Sequence, residues 1–273
     1  MEVPVLGLVR HAGRAPHLPE RVVPPLVAPP LPGTDVVELG WGFVVLQAEF
    51  PLSRYHNRIV VTSAAAAGDV LSAADELLGG AGLGRRCVSV DDDAAGRALV
   101  ADLAAAGYRH EAITSMIYAG PVPEAAPDVG EVSFDAVRPA IVQDWELAIP
   151  DATPAALGQL ADRTELYSRS ADLRLLAVYD GGTIAAHADL YVDRVDAITQ
   201  FENLVTHPGF HGRGHGAALV RGGLWRSREA GAELSFLTAG LGDWPYQWYQ
   251  RLGYIDVTRT HHFTRDTDHE PRP

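Results

Sequence analysis

Three glycines at alternate positions, Gly212, Gly214 and Gly216, constrain this chain more than any other feature of its sequence. They follow an apolar segment that ends at Pro208, and a helix-forming run begins directly after them. Glycine permits sharp backbone bends, and the start of a helix presents unpaired N–H groups and the positive end of its dipole. A strand, a glycine loop and a helix in this order predict a cradle for a diphosphate.

Two common phosphate-binding motifs do not fit this loop. A dinucleotide fold places its loop in a parallel βαβ unit whose second strand ends in an acidic residue. Here hairpin strands precede the loop, and the next strand ends in Thr238-Ala239-Gly240. A Walker A loop requires a lysine, and the 22 basic residues of this chain are all arginine. The same absence excludes Schiff-base chemistry on a lysine.

The hydrophobic pattern predicts two α/β halves with a common order of elements. The first half has strands at 41–47 and 58–62, a helix at 64–78, a strand at 87–90, a helix at 94–106 and a strand at 109–118. In the second half, helical segments within 134–169 precede strands at 173–179, 183–192 and 197–206, a helix at 216–230, a strand at 234–238, a helix at 245–252 and a strand at 254–263. Tyr108 and Tyr254 follow equivalent helices 146 positions apart, which favours duplication of one fold. The alternative is that any two α/β domains look alike at this level.

The domain boundary is predicted at residues 121–130, which contain three prolines and no apolar periodicity. The predicted domains are therefore 1–125 and 131–265, with a frayed tail at 266–273. The first forty residues are rich in proline, and we expect extended segments with a short helix there.

Composition narrows the class of protein. Apolar residues make up 47% and charged residues 21%, as in ordinary globular chains. The net charge of −13 argues against a nucleic-acid partner. No apolar run reaches the roughly 18 residues that a membrane span needs, and the only cysteine, Cys87, excludes an intrachain disulfide. We expect a cytoplasmic protein without a membrane or nucleic-acid partner.

Two motifs resemble the GNAT N-acetyltransferase superfamily. His211-Gly-Arg-Gly-His-Gly216 is similar to the acetyl-CoA signature Arg/Gln-x-x-Gly-x-Gly/Ala, and the preceding Leu204-Val-Thr-His-Pro208 is similar to the usual Leu-x-Val-x-Pro entry. Downstream, Trp248-Tyr-Gln-Arg-Leu-Gly-Tyr254 resembles the Phe-Tyr-x-x-Leu-Gly-Phe segment of that family. The resemblance covers about residues 131–265 and implies a GNAT fold, that is, a mixed, mostly antiparallel sheet flanked by helices. With the repeat, it implies two GNAT-like domains in tandem, of which the first lacks the glycine loop.

The resemblance also implies how acetyl-CoA binds. The backbone of Leu204, Val205 and Thr206 lines the cofactor arm, and the loop residues take the pyrophosphate. These loop residues are His211, Gly212, Arg213, Gly214, His215, Gly216 and Ala217. Departures from the family pattern are His211, in place of Arg or Gln, and Thr206, in place of Val; neither removes a backbone N–H.

Acetyl transfer to an amine needs a base for the amine and a proton for the leaving thiolate. Tyr249 occupies the general-acid position of the family; the alternative is an aromatic residue packed between helix and sheet. Glu202 is the candidate base, because strand alternation places it on one face with Gln200, Leu204 and Thr206; the alternative is a glutamate in solvent or in an ion pair. His187 and Asp189 alternate on the preceding strand, where an exposed face is expected and an acceptor pocket is the alternative.

The sequence predicts no metal ion. His207, His211 and His215 recur every four residues, but they flank a Pro-Gly turn rather than share a helix face.

The sequence therefore predicts an N-acetyltransferase that acts on a small amine in a ternary complex with acetyl-CoA, as a monomer or homodimer. Two alternatives are transfer of a longer acyl group and a catalytically silent acyl-CoA-binding sensor. The first domain is open to a structural role, either covering the sheet or building part of the acceptor pocket.

Overall fold

The computed structural model describes residues 33–124, 128–168 and 171–267. Contacts divide the chain into two compact units. The loop unit, which contains the glycine loop, comprises Met116–Thr238 and Gln247–Asp256. The N-terminal unit comprises the chain up to Ser115, Ala239–Tyr246 and the segment from Val257 onward.

The N-terminal unit is built on a sheet with strand order β1-β2-β3-β4-β11. Its strands are β1 (Thr34–Leu39), β2 (Gly42–Gln47), β3 (Arg58–Val61), β4 (Arg85–Val90) and most of β11 (Tyr254–Asp266). The β3–β4 pair is parallel, and the pairs β1–β2, β2–β3 and β4–β11 are antiparallel. The connection from β3 to β4 is helical, with α1 (Ala67–Ala73) running into one π-helical turn (Ala74–Leu78).

Helix α2 leads from β4 to β5 (Arg109–Tyr118), and the boundary between the N-terminal unit and the loop unit falls within β5, after Ser115. Helix α2 (Asp93–Ala105) begins where the side chain of Asp92 accepts a hydrogen bond from the Ala95 N–H. It ends at Ala105, two residues before Gly107, whose φ of 83° is a left-handed conformation that favours glycine. The core of the unit packs both helices on the sheet through Ile59, Val70, Leu78, Leu103 and Phe263, among other residues.

The loop unit has the strand order β10-β9-β8-β7-β6. Its elements are β6 (Gly130–Val132), α3 (Phe134–Ala148), α4 (Pro154–Ser168), β7 (Asp172–Asp180), β8 (Thr183–Asp193), β9 (Ile198–Thr206), α5 (His215–Glu229), and most of β10 (Leu234–Gly240) and of α6 (Trp244–Leu252). The strands pair antiparallel except for β9 and β10, which are parallel with α5 between them. Two glycines at positive φ, Gly181 and Gly182, form the hairpin turn between β7 and β8.

Helix α5 covers one face of this sheet. Thr199 on β9 donates a hydrogen bond to Ser227 of α5 at 2.7 Å, and Phe201 packs so closely against Gly223 that a side chain there would overlap it. Elsewhere, α3 and α4 bury Val137, Ile141 and Ala161 together with Leu175 of β7. Odd-numbered residues at the start of β9 therefore face α5, and even-numbered ones face away from it.

The predicted fold class is confirmed: the sheets are mixed and mostly antiparallel, and helices flank them. Both halves also repeat one order of elements, since three antiparallel strands, a helix, a parallel strand, a helix and a final strand occur in β1–β5 and again in β7–β11. This agrees with the predicted duplication.

Several predicted boundaries need correction. Within the first forty residues, where extended segments were expected, Thr34–Leu39 forms a strand, and α1 begins at Ala67 rather than 64. Strand β11 extends to Asp266, the first residue of the predicted tail, and pairs with β4 of the first half. Residues 1–32 lie outside the described chain. The division into 1–125 and 131–265 stays a prediction, because the two contact-defined units alternate along the sequence.

Candidate functional site: a glycine loop and a cavity beside it

The glycine loop has an open, strongly bent backbone. Gly212 and Gly214 have φ values of 76° and 86°, a region that other residues rarely adopt. A Cβ atom at either position would meet no atom within 4 Å. Because Ala218 donates the first hydrogen bond of α5, to the Gly214 carbonyl, the N–H groups of His215, Gly216 and Ala217 have no acceptor within the helix. The loop thus fits a bound pyrophosphate.

The start of α5 is held close to the end of β9. A Cβ atom at Gly216 would lie 3.3 Å from Thr206 Oγ1 and from the Trp248 ring. His211 fixes the other end of the loop, since its Nε2 lies 2.6 Å from the Thr206 carbonyl oxygen. The residues predicted to bind the cofactor therefore form one continuous surface, with Leu204–Thr206 ending β9 and His211–Ala217 spanning the loop and the first turn of α5.

Charged side chains border the loop. Arg213 donates a hydrogen bond to Asp180 at 2.9 Å, and His215 Nε2 lies 3.3 Å from the same carboxylate. The hydrogen bond from Arg213 and the nearby His215 hold the pKa of Asp180 below its usual value. Asp180 is the last residue of β7, so this contact ties the loop to the sheet.

A β-bulge in β9 changes which residues share a face. His187 pairs with Val205, but Asp189 pairs with Glu202, so Asn203 and Leu204 together oppose one residue of β8. Asn203 takes a φ of 50°, and its Nδ2 donates a hydrogen bond to Asp189 at 2.6 Å. The prediction that Glu202 shares a face with Leu204 and Thr206 is therefore wrong, because the extra residue reverses the alternation after position 202.

Glu202 and Tyr249 are neighbours in the loop unit. Glu202 accepts hydrogen bonds from Gln200 and, at 3.3 Å, from Thr238. Tyr249 is buried in α6 and makes ring contacts with Trp248 and Tyr254. Burial, together with the negative charge of Glu202, raises the pKa of Tyr249 well above its ordinary value. The hydroxyl therefore keeps its proton at neutral pH.

A cavity of about 460 Å³ adjoins the end of β9. Its walls come from α3, α4, β8, β9 and the start of the glycine loop, including Asp144, Trp145, Arg163, His187, Asp189, Asn203, Val205, Thr206 and His211. Arg163 is buried and lies 5.3 Å above the Trp145 ring. His187 and Asp189 are 3% and 1% exposed, so the expectation of an exposed face is wrong and they line a pocket instead.

Asp144 of α3 contacts two histidines, His187 and His207, beside the cavity. Its Oδ2 lies 2.6 Å from His187 Nε2, and its Oδ1 lies 3.0 Å from His207 Nδ1. Burial lowers the pKa of His207, although Asp144 opposes the shift. The three histidines compared in the sequence do not converge: His207 meets Asp144, His211 meets the Thr206 carbonyl, and His215 lies near Asp180.

The structure thus brings the predicted cofactor residues together and places Tyr249 near Glu202, but the roles of these residues stay predictions. Neither Tyr249 nor Glu202 is among the residues that line the cavity. Sequence analysis missed Asp144, Arg163 and Asn203. Asp144 and Arg163 occupy polar positions of amphipathic helices, which are usually exposed to solvent. Asn203 points toward the cavity only because of the bulge. The sequence therefore does not indicate that these three residues belong to a site.

A comparison with protein families matches the segment of the chain that contains the glycine loop. Residues 134–254 match the model of the acetyltransferase (GNAT) family. The matched segment begins in α3 and ends at Tyr254, so it includes the bulge, the glycine loop and α6. No curated protein matches the sequence.

Solved structures show the same fold at low sequence identity. A conserved protein of unknown function from Staphylococcus epidermidis is 14% identical, with 87% of this chain and 95% of that chain covered and a TM-score of 0.66. A GCN5-related N-acetyltransferase from Kribbella flavida is 18% identical, with coverages of 88% and 92% and a TM-score of 0.57. A tandem GNAT protein from the clavulanic acid biosynthesis pathway is 17% identical, with coverages of 86% and 84% and a TM-score of 0.55. The likeness to a tandem protein agrees with the predicted pair of GNAT-like domains.

Within the described residues, no helix has the length and apolar character that crossing a membrane requires.

Proposed function

We propose that the protein is an N-acetyltransferase that transfers the acetyl group of acetyl-CoA to an amine of a small molecule. The observation that carries this proposal is the glycine loop, with two open positive-φ glycines in front of a 15-residue helix, inside a GNAT-family segment. The acetyl-CoA thioester supplies the carbonyl carbon that the amine attacks. The protein binds both substrates at once, so that transfer is direct.

The loop binds the negative end of the cofactor. The N–H groups of His215, Gly216 and Ala217 donate to pyrophosphate oxygens, and the dipole of α5 favours the negative charge. Leu204, Val205 and Thr206 then direct the pantetheine arm along the end of β9. This places the thioester near the bulge, where Glu202 and the cavity residue Asn203 are adjacent in sequence.

Glu202 and Tyr249 move the two protons of the reaction. Glu202 accepts a proton from the amine, directly or through one water, as a new C–N bond forms. Tyr249 donates its proton to the sulfur as the C–S bond breaks, and water restores the hydroxyl. The hydroxyl of Tyr249 carries its proton at neutral pH, as a general acid requires, although burial and the charge of Glu202 raise its pKa and weaken it as a donor.

The cavity is the proposed acceptor site. Its volume of about 460 Å³ suits a small molecule. Asp144 and Asp189 give its wall the negative charges that attract an amine, and Arg163 offers a positive group for an acidic substituent on the same molecule. We propose a small-molecule acceptor and a cytoplasmic protein that acts as a monomer or homodimer.

A thiol-release assay with acetyl-CoA and a panel of small amines tests the proposal. We expect release that depends on both substrates, and loss of turnover in Glu202→Gln with acetyl-CoA binding retained. Faster release with a longer acyl-CoA would favour the longer-chain alternative. Binding of acetyl-CoA without release for any amine would favour the silent sensor.

A further inference from the structure

Three polar side chains from separate elements converge beside the cavity, and two of them, Asp144 and His187, line it. Asp144 lies in α3, His187 in β8, and His207 directly after β9. One ligand-type atom from each lies within 4.8 Å of the other two. Both histidines are nearly buried, with 3% and 5% of their surface exposed. Proximity alone does not make a site, because carboxylates and histidines pair in many proteins without an ion.

The second observation is a set of buried polar atoms without hydrogen-bond partners among the described residues. These atoms are Asp144 Oδ1, His187 Nδ1 and both ring nitrogens of His207. An unsatisfied buried polar group costs about 1–3 kcal/mol, so several in one cluster call for an explanation such as a bound ion or water.

The orientation of Asp144 Oδ1 relative to His207 Nδ1 indicates what lies between them. The atoms are 3.0 Å apart, within ion-pair distance, but the contact does not have the angles of a hydrogen bond. Two polar atoms at this distance that do not point at each other are arranged like two ligands of a shared third atom. A cation between them would satisfy both.

We propose that Asp144, His187 and His207 form a binding site for a divalent transition-metal ion, with Zn²⁺ as the representative ion. Two imidazole nitrogens and one carboxylate oxygen are ligands that Zn²⁺ and its neighbours accept, whereas Mg²⁺ and Ca²⁺ prefer oxygen ligands throughout. This site goes beyond the proposed acetyl transfer and does not depend on it.

Binding requires a small rearrangement. Ligand atoms on a tetrahedral zinc stand about 3.3 Å apart, whereas Asp144 Oδ2 and His187 Nε2 are hydrogen-bonded at 2.6 Å. The ion therefore replaces this hydrogen bond, and the proton of the imidazole moves to Nδ1, where a water has to accept its hydrogen bond. Asp144 and His187 line the cavity, so the remaining coordination position is available to water or to a molecule bound there.

Calorimetric titration of the full, tag-free, chelator-stripped chain with ZnCl₂ tests the proposal. We expect one Zn²⁺ per chain, no comparable binding of Mg²⁺, and binding at least about tenfold weaker in His207→Gln. His211→Gln is the matched control, because His211 belongs to the same loop but lies outside the cluster, and it should bind Zn²⁺ as the wild type does.

Failure of the wild-type chain to bind Zn²⁺ overturns the proposal, as does equal binding by wild type and His207→Gln. Circular dichroism checks that each variant is folded. If His207→Gln is not folded, Asp144→Asn provides the same comparison. Because the readout is metal binding, its result is independent of whether the thiol-release assay detects acetyl transfer.

Discussion

The side-chain amide of Asn203 donates a hydrogen bond to the buried carboxylate of Asp189 at 2.6 Å, across the bulge that separates the two ends of β9. Asn203 reaches this position only because its φ is 50°, a left-handed conformation that asparagine tolerates better than most residues. Burial raises the pKa of Asp189, and the hydrogen bond from Asn203 opposes that shift. The bulge, the hydrogen bond and the cavity wall therefore depend on one residue.

Asn203→Ala and Asn203→Gly should separate two contributions of Asn203 to stability, its hydrogen bond to Asp189 and its left-handed backbone conformation. Both variants lose the hydrogen bond to Asp189, at a cost of about 1–3 kcal/mol. Only the alanine variant adds the strain of a left-handed conformation, about 1 kcal/mol more. Urea denaturation should therefore rank wild type above Asn203→Gly and Asn203→Gly above Asn203→Ala. Equal stability of the two variants would show that the backbone at 203 relaxes.

Gly214→Glu should abolish acetyl-CoA binding while the fold persists. The substitution places a negative side chain in the cradle, against the diphosphate. Gly182→Glu is the matched control: its φ of 83° imposes similar strain, and its Cβ also meets open space, but it lies in the hairpin turn. Calorimetry should show normal binding in Gly182→Glu only. Normal binding in a folded Gly214→Glu would mean that the loop does not hold the cofactor.

Tyr249→Phe should lower kcat by roughly 10²–10⁴-fold, which is the usual effect of removing a positioned acid. KM for acetyl-CoA should change little, because the loop backbone makes most ground-state contacts. The ring contacts with Trp248 and Tyr254 survive the change. The exposed Tyr179 supplies a control, Tyr179→Phe, with wild-type kinetics expected. A kcat within about threefold of wild type in Tyr249→Phe would assign the residue to packing alone.

One acetyl-CoA should bind per chain. The connection from β3 to α1 in the N-terminal unit contains no glycine and no positive-φ residue, whereas the equivalent connection in the loop unit has both. Titration of the chain with acetyl-CoA should give a stoichiometry near one. A value near two would refute the inference that the first half has lost its binding loop.

His262 should make the protein lose stability in acid. Burial, with further contributions from Arg58, Arg54, His261 and His110, lowers its pKa from 6.5 to about 3. Below pH 6.5 the unfolded chain binds a proton that the folded chain excludes, so stability is complete above that pH and falls as the pH approaches 3. The loss is about 5 kcal/mol at most, at 1.36 kcal/mol per pH unit.

Urea denaturation at a series of pH values between 7 and 3.5 measures this effect, with variants compared with the wild type. His262→Gln should show a shallower loss of stability than wild type, while the exposed His211→Gln should follow the wild type. An unchanged slope in His262→Gln would place the acid sensitivity elsewhere.

The sequence predicted most elements because their signals are local. Gly181-Gly182 favours a hairpin turn, and the alternate glycines favour the loop before α5. It failed where a distant partner or one extra residue decides the outcome. The alternation rule assigned Glu202 to one face with Leu204, but the bulge reversed the assignment. Asp144 joined the site only because α3 packs beside His187 and His207.

The sheet shows the same difference between local patterns, which the sequence reveals, and distant contacts, which it does not. A strand at 254–263 was evident from its apolar residues, but its partner was not. Nothing in that segment indicates that His261–Asp266 pair with Arg85–Val90 of the first half. Strand partners far apart in sequence are set by the packing of the whole chain rather than by the strand itself.

The pairing of β11 with β4 also orders events during synthesis on the ribosome. Residues 33–118, which include β1 through β5, emerge from the ribosome long before Tyr254–Asp266. Until then, the edge of β4 that pairs with β11 lacks its partner, and its hydrogen-bonding groups are open to other strands. The half of the protein that is translated first is therefore completed last, and a chain truncated before residue 257 lacks the strand that covers this edge.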